Sequence, residues 1–415
     1  MLAKYFKSSS RILDIRSRPG GKLLEAFAQA LSRAGYSSTA GTHHLRSAEH
    51  FLHWVHQEKI SFADLSEVIV ERFAAHMQTC QCYGLRRASQ VGTLYSVQLF
   101  LEIGIGLESN ASSAVALESK GRVLFLAFCQ WMRRHRGTSE LTLYNYGNSL
   151  RRFLTVVGED PGKLDAQYLR RFVLEESGLK GSKAAQRCTT ALRMFIRFLV
   201  ADGKCLSSLH EAIPVVAHWR LSSLPKYLQP EEIERIIGSC NLTQSVGKRD
   251  RAILLLLARF GLRAGDILRL RIPDIDWKGA SISVSGKGRR QTLLPLTEEV
   301  GQAIIEYLRE ARPTTDTDAL FIRSRAPHRA FANHAAISVI VTRAMDRAGI
   351  SSPSRGAAHL LRHSVATSML RNGASLQDIA AVLRHRSIAT TQIYAKVDVN
   401  SLREVSQTWP GELPC

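Results

Sequence analysis

At 415 residues the chain is too long for one ordinary core, which implies two to four domains. Its 45% hydrophobic and 22% charged residues exclude a disordered chain. No apolar run is longer than that from Ala252 to Ala258, far short of the ~20 residues of a bilayer-spanning helix. Fifty-six Lys and Arg against 36 Asp and Glu leave a formal charge of +20. The basic residues are spread among apolar helical patterns and form no polybasic tail, which favours a nucleic-acid partner over a membrane surface. Met1 to Leu13 holds lysines and serines without an apolar signal block, so a soluble, cytoplasmic protein is expected.

The front half carries an internal echo. Ala26-Phe27-Ala28-Gln29 returns as Ala127-Phe128-Cys129-Gln130, Phe51-Leu52 as Phe153-Leu154, and Arg72-Phe73 as Arg171-Phe172. Leu94 and Phe100-Leu101 return as Leu192 and Phe198-Leu199, with Gly104 and Gly203 closing each copy. The offsets stay between 98 and 102, and each copy reads as four amphipathic helices. Chance likeness between helical bundles is the alternative to duplication, but the agreement runs through four helices. The expected layout is an N-terminal helical domain over 1–110, a second bundle over 117–205, a linker over 206–224 and a last domain over 225–415. Seven cysteines, at 80, 82, 129, 188, 205, 240 and 415, include the pair Cys80-Gln-Cys82. That pair lacks a second pair or a His partner at zinc-site spacing, so reduced thiols rather than a metal site are the expected reading, with a metal site as the alternative.

After the linker, Pro230-Glu231-Glu232 opens a helix with acids at the positive end of its dipole. Asp250 to Phe260 is apolar all round and should form the buried centre of the last domain. Ser281 to Ser285 alternates like a strand, Gly286-Lys287-Gly288 reads as a turn, and Thr292 to Leu296 returns as its partner. Everything beyond reads as helical as far as Val397, so the fold class is mainly α with one small antiparallel sheet.

Four segments carry candidate chemistry. Arg263 follows the helix stop Gly261 at the start of a new helix, where a guanidinium can fork onto phosphate; a surface pairing with Asp266 suits it equally. Lys287 sits between glycines at a hairpin tip, able to approach a DNA groove or merely to be solvated. His359 and Arg362, three residues apart, share a helix face and can reach one phosphate, although such pairs are also common in structural roles. His363 is expected off that face, packing or capping. His385 stands nine residues before Tyr394, across a Ser/Thr-rich stretch able to cap a new helix. A lone tyrosine there would ordinarily be a packing residue.

Taken together, the order Arg, Lys, His-x-x-Arg, His, Tyr resembles the tyrosine recombinase (phage integrase) family, with a catalytic domain of Xer-like type. The matching stretches read G-L-R-A-G-D, S-G-K-G-R-R-Q-T-L-L-P-L, H-L-L-R-H-S-V-A-T and L-R-H-R-S-I-A-T-T-Q-I-Y-A-K-V. Residues 225–410 match the catalytic domain, and 122–203 resemble the family's core-binding bundle. The copy at 22–104 resembles a second such bundle. The resemblance implies helical, SAM-like DNA-binding domains beside a mostly helical α/β catalytic domain with a small antiparallel sheet. Two positions depart from the family: Arg384 where glycine usually precedes the second histidine, and Asp266 where glutamate is common.

The resemblance implies that Tyr394 attacks a DNA phosphodiester to give a 3′-phosphotyrosyl bond and a free 5′-hydroxyl. Arg263, Arg362 and His385 would stabilise the transition-state charge, Lys287 would protonate the leaving oxygen, and His359 would serve as base or relay. Neither ATP, metal nor other cofactor is implied. The implied partners are double-stranded DNA with inverted-repeat sites and a homo- or hetero-tetramer, with other recombinases of the same mobile element as further candidates. The tail Ser401 to Cys415 would be exchanged between protomers or fold back on its own domain. A type IB topoisomerase shares the chemistry, and a DNA-binding accessory protein with impaired catalysis is the reading from another class.

Overall fold

The computed structural model describes residues 1–80, 82, 89–106, 121–158, 160–216, 224–285, 291–353, 356–385, 387–397 and 403. Chain contacts divide it into two compact units: 1–107 with 223–415, and 108–222. The hairpin tip with Lys287, and the tail apart from Arg403, lie outside the described residues. Among those residues no helix is long and apolar enough to cross a membrane.

The first unit begins with α1 (Ser9–Ser17), α2 (Gly21–Arg33), α3 (Ser38–Gln57), α4 (Glu67–Thr79) and α5 (Gln90–Leu99), the last continuing as a wider turn to Ile105. Ser37 caps α3 and Ser89 caps α5 through their hydroxyls, which satisfies amide groups that the helices leave open. Phe27, Phe51, Phe73 and Phe100 are fully buried, with ring pairs Phe27–Phe100 at 5.2 Å and Phe51–Phe73 at 5.1 Å. Edge-on packing of this kind favours the quadrupoles of both rings. Cys80 and Cys82 do not lack histidine neighbours, as sequence spacing suggested. His50 of α3 and His76 of α4 converge on them, brought there by the packing of α3 against α4.

The second unit holds α6 (Arg122–Arg136), α7 (Glu140–Val157), α8 (Ala166–Lys180) and α9 (Ser182–Ala201). Its buried aromatics Phe128, Phe153, Phe172 and Phe198 pair as Phe128–Phe198 at 5.8 Å and Phe153–Phe172 at 5.3 Å. Each four-helix set is entered through a left-handed glycine, Gly20 or Gly121, at φ 82°. Each also carries a single 3-10 turn between its second and third helices, Phe62–Asp64 in one and Pro161–Lys163 in the other.

The carboxyl-terminal part of the first unit is built around α11 (Ser245–Phe260), whose Ala252 to Leu257 are wholly buried. Around it lie α10 (Pro230–Gly238), α12 (Ala264–Arg269), α13 (Glu298–Glu306), α14 (Ala335–Arg347), α15 (Ala357–Arg371) and α16 (Leu376–Val382). A three-stranded antiparallel sheet runs β1 (Ile275–Asp276), β2 (Ser281–Ser285), β3 (Gln291–Pro295), with Ser285 opposite Gln291. The expectation of helix throughout the region after Leu296 needs correction. Residues 312–334 form turns with isolated bridges Arg271–Ala319 and Ile322–Ala330. Pro313 and Pro327 lack the amide donor a helix requires. Arg312 instead donates to the carbonyls of Thr317 and Ala319, at 2.7 and 2.8 Å. The same turn region meets the first bundle, where the His328 amide donates to the Ala34 carbonyl at 3.0 Å and Arg329 pairs with Glu102 at 2.8 Å.

Candidate active site

Three chain segments converge around Arg362. The first is the end of α11, where Gly261 turns the chain at φ 57° and a Cβ would meet Leu383 at 2.6 Å. Arg263 follows as the residue capping α12, and its backbone amide donates to Asp266 Oδ2 at 3.1 Å. The second segment is α15, and the third is the turn after α16 that holds Leu383, Arg384 and His385. Arg362 is buried and donates to the carbonyls of Gly261 and Leu383, each two residues before a candidate side chain. One guanidinium therefore fixes Arg263 and His385 relative to each other. Arg263 Nη2 also reaches the Arg384 carbonyl at 3.4 Å. Burial, then the neighbouring Arg263, push the Arg362 pKa down to about 9, so it stays a cation at neutral pH.

Tyr394 lies in a 3-10 turn over Gln392–Val397, where sequence suggested a capped helix. Its ring is buried with Ala366, Leu370, Ile379 and Leu383. Burial raises its pKa, while Arg362 and Arg263 pull it back down. Its hydroxyl is 2.8 Å from His363 Nδ1. Sequence reasoning placed His363 off the working face and gave the tyrosine to His359. Yet positions four apart on a helix share a face as surely as positions three apart, so the spacing of His359 and His363 carried the signal. Burial, with His359 and Arg362 nearby, holds the His363 pKa at about 4, leaving a neutral ring that can accept a proton. His359 itself is exposed, one turn from Arg362 on α15, and local desolvation with the cations of Arg362 and Arg263 lowers its pKa.

His385 Nδ1 meets Thr391 Oγ1 at 2.7 Å, and the Thr391 side chain is fully buried. Burial, then Arg362 and Arg263, bring the His385 pKa to about 4. Arg384 adopts φ 55°, the left-handed region where glycine is at ease and other residues lose about 1–2 kcal/mol. Its guanidinium turns away from solvent onto Asp266 Oδ2 at 2.6 Å, and Asp266 Oδ1 takes Arg269 at 2.8 Å. The two departures from the family pattern thus meet as one ion pair. Arg269 also reaches the carbonyl of Ser285, the last residue of β2, at 3.2 Å.

Family models match at residues 226–401, the phage integrase family, and at 126–203, the phage integrase N-terminal SAM-like domain. The integrase/recombinase y4rA of Sinorhizobium fredii is 40% identical over 291 residues, covering 69% of this chain and 70% of that protein. Tyrosine recombinase XerC of Pelobacter propionicus is 32% identical over 286 residues, 67% of this chain and 92% of that one. In fold, the chain is similar to XerH recombinase bound to a palindromic difH substrate. The TM-score is 0.54 at 20% identity, covering 81% of this chain and 93% of that one. A lambda integrase dimer on a core site has a TM-score of 0.51 at 16% identity, covering 69% and 98%. The chain belongs to the phage integrase family and is a tyrosine recombinase, an enzyme that cleaves and rejoins DNA.

Proposed function

We propose that the chain is a site-specific recombinase of a mobile element, with Tyr394 as nucleophile and Arg263, Lys287, His359, Arg362 and His385 as the other catalytic residues. The observation that carries this reading is the bond pair from Arg362 to Gly261 and Leu383, which draws Arg263 and His385 towards one place beside Tyr394. In the reaction, Tyr394 Oη forms a bond to phosphorus as the P–O5′ bond breaks. The phenolic proton passes to His363, its hydrogen-bond partner, with His359 one turn away on the same helix as relay. The two arginines and His385 hold the extra charge on the non-bridging oxygens. Lys287 gives a proton to the departing 5′-oxygen. Attack by a 5′-hydroxyl from another strand reverses the sequence and reseals the backbone.

The two helical sets share element order, 3-10 turn and aromatic pairs, which supports reading them as copies of one DNA-gripping bundle. Their partner is duplex DNA with inverted-repeat sites, bound by a tetramer of this chain alone or with other recombinases of the element, in the cytoplasm. Phosphate contacts by Lys and Arg make such binding fall steeply with salt.

A nicked suicide substrate bearing the element ends tests the reading. A covalent protein–DNA adduct on denaturing gels, and joint products from two sites, are the expected results. Relaxed plasmid without joint products would make the chain a topoisomerase, and DNA binding without an adduct would make it an accessory protein. A second expectation concerns the general acid. Lys287→Ala should cleave an ordinary strand slowly but recover when the leaving group is a low-pKa 5′-thiol, which needs no proton. Equal impairment on both substrates would remove Lys287 from that role.

A further inference from the structure

The first helical bundle differs from the second at a matched pair of positions between the second and third helices of each set. In the second, Arg152 of α7 and Glu175 of α8 are joined at 2.7 Å, with the guanidinium 5.8 Å from the Phe172 ring. In the first, the residues beside the matching Phe51 and Phe73 are His50 and His76, their rings 5.7 Å apart and His50 5.3 Å from the Phe73 ring. Two imidazoles thus replace an ion pair between the same two helices. The connection that follows also differs. Helix α8 passes to α9 through Gly181 alone, whereas α4 passes to α5 through Cys80 to Ser89, and this longer segment opens with both cysteines.

Those cysteines turn back onto the histidine pair. Cys80 Sγ is 3.2 Å from His50 Nε2, Cys82 Sγ is 3.6 Å from His76 Nε2, and all four donor atoms lie within 4.8 Å of one another. Tetrahedral zinc, with bonds of about 2.3 Å to sulfur and about 2.0–2.1 Å to nitrogen, separates its donors by about 3.3–3.8 Å. The Cys82–His76 pair falls in that range, the Cys80–His50 pair lies just below it, and no two of the four donors are more than 4.8 Å apart. His50 and Cys80 are buried, and the Cys82 amide donates to Cys80 Sγ at 3.4 Å, the kind of outer contact that steadies a thiolate ligand.

We propose that His50, His76, Cys80 and Cys82 form a structural Zn²⁺ site that fastens the α4–α5 connection to the α3–α4 pair. Two thiols release their protons as the two Zn–S bonds form, and the imidazoles bind as neutral rings. With four protein ligands the metal has no open position, so it holds the bundle and takes no part in strand transfer. Soft sulfur and imidazole donors select zinc over magnesium or calcium. Clamping a longer connection offsets the closure entropy that its length adds.

The test uses the full chain, expressed with zinc in the medium and dialysed before metal analysis. About one zinc per chain is expected, and replacement by cobalt should give the visible bands of a tetrahedral site with thiolate ligation. Cys82→Ser and His76→Ala, at the less buried ligands, should each lose the bound metal. His76→Cys should keep it as a Cys₃His set, and Cys205→Ser should keep it unchanged. A wild-type chain free of metal after zinc reconstitution overturns the proposal. So does undiminished zinc in Cys82→Ser, or a Cys80–Cys82 disulfide found in peptides of the purified protein.

Discussion

Tyr394→Phe should bind DNA as the parent does and form no covalent adduct. The ring stays in its apolar nest of Ala366, Leu370, Ile379 and Leu383, so the substitution keeps the packing and removes only the oxygen. What is lost structurally is the 2.8 Å hydrogen bond to His363 Nδ1, worth about 1 kcal/mol. A domain of this size should then melt about 2–4 °C lower. What is lost chemically, on the proposed reading, is the atom that attacks phosphorus. A suicide substrate with denaturing electrophoresis reads the adduct, and a gel shift at fixed salt reads binding. Adduct persisting in the Phe variant would mean the nucleophile lies elsewhere in the chain.

The same contact shows why some of the site was legible in the sequence and some was not. Gly261, Arg263 and the helix after them follow local rules of helix stopping and starting, and the structure places them so. Strand β2 follows from the strict alternation of Ser281 to Ser285, and β3 pairs with it with Ser285 opposite Gln291. The bond from His363 to Tyr394 joins two elements 31 residues apart, and no local period reports such a meeting. Helix geometry did permit it, because residues 359, 362 and 363 lie on one stripe. Arg384 and Asp266 each looked like an isolated departure, because their pairing spans 118 positions and only the fold brings it about. The histidines near Cys80 and Cys82 were hidden in the same way. His76 precedes Cys80 by four residues, but His50 arrives from another helix.

Arg362 should be the costliest of the positive groups to remove, because its charge and its donors serve different ends. Arg362→Ala takes the donor from two carbonyl oxygens, those of Gly261 and Leu383, and a stranded buried acceptor costs about 1–3 kcal/mol. Against that loss stands the relief of a buried cation, whose own pKa burial and Arg263 already depress. The net expectation is a chain that still folds but melts several degrees lower, by about 2 kcal/mol. Cleavage should fall further, by about 10²–10³, as expected when one donor to a developing oxyanion is removed. Arg362→Lys restores the charge but not the fork, since one ammonium cannot span both carbonyls in the geometry of a planar guanidinium. It should therefore recover little of the rate. Single-turnover cleavage well below the melting temperature separates chemistry from unfolding, and a loss of less than tenfold in the Ala variant would remove Arg362 from charge stabilisation. The coupling can be read as well. Because Arg362 also positions Arg263 through the Gly261 turn, the double variant with Arg263→Ala should lose less than the product of the two single losses. Strict multiplication would mean that each guanidinium acts alone, and that the shared carbonyl bonds align nothing.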